Sequence, residues 1–152
     1  MAPNTAIRSI DSFNDSALAF GGDNGILYIL NSLNLSTIKI PINERIRKVK
    51  FVDPNNILVG TFRGNVYKVD SSKRFVKNSE TKLYNSKNPI VDLHMNSIED
   101  ELIIFSNHEV IFYNENTKTF DGKKVSFEIK GIDFYNDQLF IASSNEIFIY
   151  NG

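Results

Sequence analysis

The chain has 152 residues, a net charge of −1, 41% hydrophobic and 23% charged residues, and no cysteine. This length and apolar content predict one globular domain with a substantial core, and the small net charge argues against a dedicated nucleic-acid or membrane-surface binder. The lack of cysteine excludes disulfides, thiolate zinc sites and a cysteine nucleophile.

The first strand pattern is AIRSIDSF at residues 6–13, followed by LAFGGDNGILYILN at residues 18–31. The latter places a glycine-containing turn between two apolar runs, which predicts a β-hairpin. A weaker strand pattern, TIKIPI, follows at residues 37–42. The same order then repeats: RIRKVKFV precedes ILVGTFRGNVYKVD, and a weaker strand follows at ETKLYN, residues 80–85.

Two shorter copies complete the chain. PIVDLHMN precedes LIIFSNHEVIFYN, and EIKGIDFY precedes LFIASSNEIFIYN. We expect the third outer strand at KVSFEI, residues 124–129, whereas the last unit lacks an outer strand. The first strands of the four units align at Ile10, Val49, Leu93 and Ile132, with separations of 39, 44 and 39 residues.

Four short antiparallel strands in about forty residues are typical of a β-propeller blade. We therefore predict an all-β propeller or half-propeller of four blades with the last blade incomplete, in repeat units 5–42, 43–85, 86–127 and 128–152. Blades of this kind bury their faces by stacking on each other. The central strands predict core positions at Leu58, Val59, Val66, Ile104, Ile111, Ile141 and Ile149.

The period, the glycine-containing turn and the terminal Asp or Asn resemble a WD40 repeat. The positions of its Trp-Asp pair are taken by Leu30-Asn31, Val69-Asp70, Tyr113-Asn114 and Tyr150-Asn151. Because the chain has no tryptophan, we expect packing and backbone ladders, rather than the hydrogen-bonded tetrad of strong WD40 repeats, to hold the fold.

Two subfamilies share features with this sequence. VKFVDPNNILVGTFRGNVYKVD, residues 49–70, resembles the mitotic checkpoint propeller that partners the Bub kinases and its mRNA-export relative. ILVGT together with ELIIFSNHEVIFYN is also similar to the citron-homology propeller of vesicle-tethering proteins. These resemblances imply a protein that binds a segment of a larger complex, in the spindle checkpoint or at endomembranes.

The strand count leaves three interpretations open. The chain is half of a seven- or eight-bladed propeller, an open arc completed by a partner or a second copy, or a closed four-blade miniature. The strand at Glu146–Tyr150 ends the last unit. We expect it to leave an open edge through which the chain self-associates or is completed.

No motif predicts catalysis, a metal or a cofactor. His94 and His108 are the only histidines and have no ligand partner at useful spacing, and no helix follows GGDNG to bind a phosphate. The chain also lacks a basic stretch before an apolar core at its start, and it lacks a long apolar run. We therefore expect a non-enzymatic protein inside the cell, in the cytoplasm or nucleus.

The candidate binding residues lie at turns that share one rim in a WD40-like layout, together with the start of the second unit's first strand. A turn aromatic beside several arginines has the composition of an interface hot spot for an acidic, partly apolar peptide. The basic segment Glu44–Lys50 also allows a nucleic-acid interpretation. The predicted partner-binding residues are Asp23, Asn24, Arg45, Arg47, Phe62, Arg63, Asn107 and His108.

Overall fold

The computed structural model describes residues 4–31, 36–73, 80–96 and 100–150. The regular elements in these ranges are β-strands and one 3-10 helix at Ser71–Lys73. No helix in the described residues is long and apolar enough to span a bilayer. The strands are β1 (Ile7–Phe13), β2 (Ala17–Gly22), β3 (Ile26–Asn31), β4 (Ser36–Pro41), β5 (Ile46–Phe51), β6 (Asn56–Thr61), β7 (Asn65–Asp70), β8 (Glu80–Asn85), β9 (Ile90–Asn96), β10 (Glu101–Ser106), β11 (Glu109–Asn114), β12 (Thr119–Lys124), β13 (Gly131–Tyr135), β14 (Gln138–Ala142) and β15 (Ile147–Tyr150).

The described strands form four antiparallel sheets, each from consecutive strands of the chain. Three sheets have four strands, namely β1–β4, β5–β8 and β9–β12, and the last has three, β13–β15. Each four-stranded sheet is a meander, because every strand pairs with the one before it in sequence. The prediction of an all-β chain with four such sheets and an incomplete last sheet is confirmed.

The predicted outer strand at residues 124–129 is wrong. The fourth strand of the third sheet is β12, Thr119–Lys124, which is exposed along its whole length. The apolar residues that suggested a strand belong to a coil segment that packs into a core, where Ile129 is 1% exposed. Its backbone bonds to a turn instead of a ladder: the Val125 N–H donates to the His108 carbonyl at 2.9 Å and the Ile129 N–H to the Asn107 carbonyl at 2.7 Å.

The chain divides into two compact units, Met1–Ile90 and Val91–Gly152. In the first unit, the sheets β1–β4 and β5–β8 share one apolar core: Ala19, Leu27, Ile29, Ile40, Ile42, Ile46, Val49, Phe51, Ile57, Val59 and Val69. In the second unit, a core joins residues of β10, β11 and β14 with the coil before β13: Ile103, Phe105, Val110, Ile129, Leu139 and Ile141.

The two sheets of the first unit are also joined by polar contacts between their first strands. The Val49 N–H donates to Ser9 Oγ at 3.0 Å, and the Phe51 N–H donates to Asp11 Oδ2 at 2.8 Å. Side chains of β1 thus satisfy backbone donors on the free edge of β5, which would otherwise need water.

Six of the seven predicted core residues are buried, and each is at most 2% exposed: Leu58, Val59, Val66, Ile104, Ile111 and Ile141. Ile149 is the error, since it is 51% exposed. Burial alternates along β15, and Phe148 and Tyr150 are the half-buried residues. The exposed apolar side chains of the last strand are therefore Ile147 and Ile149.

Candidate functional site

Backbone hydrogen bonds bring three loop segments of the first unit side by side. The Gly25 carbonyl in the β2–β3 turn accepts the Ile42 N–H, in the β4–β5 connection, at 2.8 Å. The Phe62 N–H in the β6–β7 turn donates to the carbonyl of Arg45, which directly precedes β5, at 2.9 Å. Side chains from separate turns are thereby held at one place on the surface.

Glycine is required at the tips of both turns. Gly25 has a φ of 69° and Gly64 a φ of 82°, in the left-handed region that favours glycine. A Cβ on Gly25 would lie 2.8 Å from the Glu44 nitrogen, and one on Gly64 would lie 2.6 Å from the Asn88 carbonyl oxygen. The turns therefore fix the approach of the neighbouring backbone as well as their own shape.

Asp23 in the β2–β3 turn holds two arginines. It accepts two hydrogen bonds from Arg8, at 3.0 and 2.6 Å, and two from Arg45, at 3.3 and 3.2 Å. The hydrogen bond from Arg8 is the main reason why the pKa of Asp23 falls to about 2, and Arg45 lowers it further. Asp23 is therefore ionised at neutral pH and fixes the position of both guanidinium groups.

The ring of Phe62 contacts two guanidinium groups, that of Arg45, which Asp23 also holds, and that of Arg47. The guanidinium carbon of Arg45 lies 4.5 Å from the centroid of the Phe62 ring, and that of Arg47 lies 5.0 Å from it. Such cation–π contacts hold a flexible arginine in place and leave its N–H donors at the edge of the guanidinium plane. Phe62 is 36% exposed, so its ring acts here mainly as a platform for the arginines.

A cleft of about 390 Å³ lies at this place, lined by Asp23, Asn24, Gly25, Asn43, Glu44, Arg45, Phe62 and Arg63. We define the arginine cluster as Arg8, Asp23, Glu44, Arg45, Arg47, Phe62 and Arg63. Its four guanidinium groups outnumber its two carboxylates, so the surface is cationic although the whole chain carries a net charge of −1.

Glu44 is anchored by a network of neutral donors. Its carboxylate accepts hydrogen bonds from Thr61 Oγ1 at 2.8 Å, from Asn65 Nδ2 at 2.8 and 2.9 Å, and from Tyr67 Oη at 2.7 Å. Partial burial raises the pKa of Glu44, but the hydrogen bonds from Asn65, Tyr67 and Thr61 and the charge of Arg63 outweigh it, so the pKa lies below its usual value. In the sheet β5–β8 the expected packing and backbone ladders are thus supplemented by a side-chain network of Glu44, Thr61, Asn65 and Tyr67.

The basic segment Glu44–Lys50 is partly neutralised. Glu44 itself contributes a negative charge, Arg45 is paired with Asp23, and Lys50 Nζ lies 3.7 Å from Asp11 Oδ1. The segment also alternates in burial, with Ile46 and Val49 fully buried. It is therefore the first strand of a packed sheet whose arginines at one end join the cluster, and not a continuous basic stripe.

The structure brings six of the eight predicted binding residues together, namely Asp23, Asn24, Arg45, Arg47, Phe62 and Arg63. Asn107 and His108 lie in the β10–β11 turn of the second unit, where His108 Nδ1 is 3.0 Å from the Phe127 carbonyl oxygen. The Asn107 Oδ1 atom is buried, and among the described residues it has no hydrogen-bond partner.

Sequence reasoning missed Arg8 and the donors to Glu44. Arg8 occupies the same repeat position as Arg47, thirty-nine residues earlier, so the repeat alignment contained the information. Thr61, Asn65 and Tyr67 carried no signal, because isolated polar residues in a strand usually face water. In the part of the chain that the structure describes, no group of three or more His, Asp or Glu side chains could hold a metal ion.

No family model matches the sequence, and no curated protein sequence matches it. Solved structures do match. The computationally designed Ika4 protein aligns with a TM-score of 0.78 at 12% identity, over 98% of this chain and 92% of Ika4. The WD40 β-propeller domain of Doa1 aligns with a TM-score of 0.77 at 13% identity, over 96% of this chain and 50% of that chain.

This chain has a propeller-like fold. A third match, the designed Ika8 protein, has a TM-score of 0.75 at 12% identity over 95% of this chain and 45% of Ika8. The chain thus spans nearly all of Ika4 and about half of the other two chains. Identities this low show the fold alone, so the prediction of a WD40-like propeller is supported at the level of architecture.

Proposed function

We propose that the chain is a non-enzymatic protein-interaction scaffold whose arginine cluster binds a short acidic segment of a partner protein. The observation that carries this proposal is the stacking of Arg45 and Arg47 on Phe62, at 4.5 and 5.0 Å from the ring centroid, beside the cleft. Preorganised guanidinium groups bind carboxylates well because less side-chain entropy is lost on binding.

Within the cluster, Arg47 and Arg63 are the proposed principal contacts. Asp23 already engages Arg8 and Arg45, so the guanidinium groups of these two arginines are partly occupied by a carboxylate. Arg47 is held over Phe62, and Arg63 extends from the turn beside the cleft. A partner carboxylate that receives two N–H donors from one of these arginines makes a charge-assisted, bidentate contact.

The geometry favours a peptide over a nucleic acid. A phosphate backbone requires a row of uncompensated cations along its path. Here Asp23 and Glu44 stand among the arginines, and Lys50 is paired with Asp11. Interspersed carboxylates repel a polyanion, whereas a short peptide with one or two acidic residues fits between them.

The proposed partner is a subunit of a larger complex inside the cell. Two resemblances support this: residues 49–70 are similar to the mitotic checkpoint propeller, and residues 101–114 to the tethering propeller. Two members of the arginine cluster, Phe62 and Arg63, lie in the first of these segments. A checkpoint-type partner in the nucleus or cytoplasm is therefore our first candidate, and an endomembrane tether is the second.

The test is fluorescence anisotropy with labelled eight-residue peptides that contain two Asp or Glu residues and one Leu or Phe. We expect the Arg47→Gln, Arg63→Gln variant to lose at least about tenfold in affinity, which is about 1.4 kcal/mol. The matched control is Lys123→Gln, Lys124→Gln, which removes the same charge from β12, and circular dichroism checks folding of both. Equal losses in both variants, or tighter binding of a uridine 20-mer than of every peptide, would contradict the proposal.

A further inference from the structure

One face of the last sheet carries exposed apolar side chains. Ile141 belongs to the core of the second unit and Ile132 packs against it, and Phe148, opposite Ile141, stacks on Phe127 at the same core. The opposite face, which we call the trailing face, carries Asp133, Tyr135, Phe140, Ala142, Ile147 and Ile149. On it Ile147 is 71%, Tyr135 68% and Ile149 51% exposed, and a shallow cleft of about 270 Å³ lies along the sheet.

The corresponding residues of the first sheet show what kind of surface the trailing face resembles. Ile147 and Ile149 occupy the repeat positions of Leu27 and Ile29 in the first sheet. There the same positions pack against the next sheet, β5–β8, and are 0% and 4% exposed. The trailing face therefore has the side chains of a sheet-to-sheet interface, and in the single chain those side chains face solvent.

A polar residue on the trailing face supports the same interpretation. Asp133 occupies the repeat position of Asp11, whose carboxylate accepts the backbone N–H of Phe51 on the neighbouring sheet at 2.8 Å. Asp133 is exposed, and its Oδ1 atom accepts only a local bond, from the Phe134 N–H at 2.8 Å, among the bonds described for it. A carboxylate placed at this position is suited to accept a backbone N–H from the first strand of another sheet.

The first sheet carries the complementary surface. Its face opposite to the core of the first unit, which we call the leading face, includes Ile7 and Ile10, which are 42% and 62% exposed. They occupy the repeat positions of Ile46 and Val49, which are fully buried where β5–β8 packs on β1–β4. The leading face is thus the receiving half of the same type of interface.

We propose that the trailing face of one copy binds the leading face of a second copy in a head-to-tail contact. In this contact Ile147 and Ile149 pack beside Ile7 and Ile10 of the second copy, and the Asp133 carboxylate accepts the backbone N–H of its Ser12, the repeat equivalent of Phe51. The chain covers 45% of Ika8 and 50% of the Doa1 propeller domain, so two copies correspond to the size of these propellers.

The test is sedimentation velocity over a wide range of concentrations, with the full chain and three variants. We expect a dimer whose dissociation constant rises at least about tenfold in Ile147→Lys and also in Ile10→Lys, because each buries an ammonium group in an apolar contact. Phe120→Lys is the matched control, since it changes an exposed aromatic residue on β12 and should leave the dimer intact. Circular dichroism confirms that each variant is folded.

A mixing experiment distinguishes a head-to-tail contact from a symmetric one. Ile147→Lys retains a native leading face and Ile10→Lys a native trailing face, so an equimolar mixture regains one native interface and should form more dimer than either variant alone. A monomer at all concentrations, a dimer that only one of the two variants weakens, or a mixture without gain would overturn the proposal.

Discussion

In the sheets β5–β8 and β13–β15, the segment before the first strand contacts the third strand at the same repeat positions, but through different side chains. In the former, Glu44 precedes the first strand and accepts a hydrogen bond from Tyr67 of the third strand at 2.7 Å. In the latter, the same two repeat positions hold Phe127 and Phe148, whose rings stack with centroids 4.1 Å apart. Both pairs tie the segment before the sheet to its third strand, so the contact is retained while its chemistry changes.

The difference has consequences at the surface. The polar pair, Glu44 and Tyr67, places a carboxylate in the arginine cluster, where Glu44 also interacts with Arg63. The aromatic pair, Phe127 and Phe148, adds apolar contact at the core of the second unit. The first unit therefore has a charged, structured surface at this position, and the same position in the second unit serves packing.

The largest expected effect is the loss of stability in Ile141→Ala, which tests whether the aromatic pair lies on the packed face of its sheet. Ile141 is directly opposite Phe148 on the neighbouring strand and is 2% exposed, whereas Ile149 is 51% exposed. Ile141→Ala should reduce the free energy of unfolding by about 2–5 kcal/mol because it leaves a cavity. Ile149→Ala, the matched control, should change it by less than about 0.5 kcal/mol.

The measurement is urea denaturation at a protein concentration low enough for the monomer. If Ile141→Ala costs less than about 0.5 kcal/mol, this residue is not in a packed core, and the assignment of the two faces of β13–β15 fails.

A smaller effect should follow from breaking the polar pair. Tyr67→Phe removes only the hydroxyl that donates to Glu44, at a half-buried position, and should cost about 1 kcal/mol in urea denaturation. Tyr28→Phe is the control in the first sheet, where the hydroxyl accepts from the neutral Asn24 amide at 2.9 Å. An equal or larger loss in Tyr28→Phe would show that the charge of Glu44 adds nothing to the network.

Much of the fold could be predicted from the sequence because it depends on local patterns. Alternating apolar residues and the glycine turns at Gly25 and Gly64 fixed the hairpins, and the repeat spacing fixed the number of sheets. The grouping of the candidate residues around Phe62 could be predicted because the turns of the first two repeats lie side by side.

The remainder could not be predicted because it depends on neighbours that periodicity does not reveal. Ile149 and Ile29 have the same repeat position, yet one is exposed and the other buried, since a second sheet covers only Ile29. The apolar segment 125–129 has a strand-like pattern, but its side chains fill a core from a coil. The Glu44 network required knowing which polar side chains meet.

The smallest expected effect is on the pH dependence of stability. It distinguishes the polar pair, which contains a titratable carboxylate, from the aromatic pair, which does not. Because the pKa values of Glu44 and Asp23 are lowered in the folded chain, their contributions to stability are present above the usual carboxylate pKa values and are lost as the pH falls through the folded values, about 2 for Asp23. The Phe127–Phe148 stack does not titrate. The stability difference between wild type and Glu44→Gln should therefore shrink as the pH falls from 7 to about 3.

Urea midpoints measured at several pH values for wild type, Glu44→Gln and Asp23→Asn provide the comparison. A difference from wild type that stays constant over this range in both variants would mean that neither carboxylate is stabilised by its partners in the folded chain.

The most direct test of the central claim, that the arginine cluster is a binding surface, is side-chain NMR of the arginines. The Nε–Hε signals of Arg47 and Arg63 report on carboxylate contacts at the two proposed positions. During titration with the tightest acidic peptide, we expect both signals to shift in a saturable way with the dissociation constant found by anisotropy. Binding that leaves both arginine signals unchanged and shifts only residues outside the cluster would contradict the account.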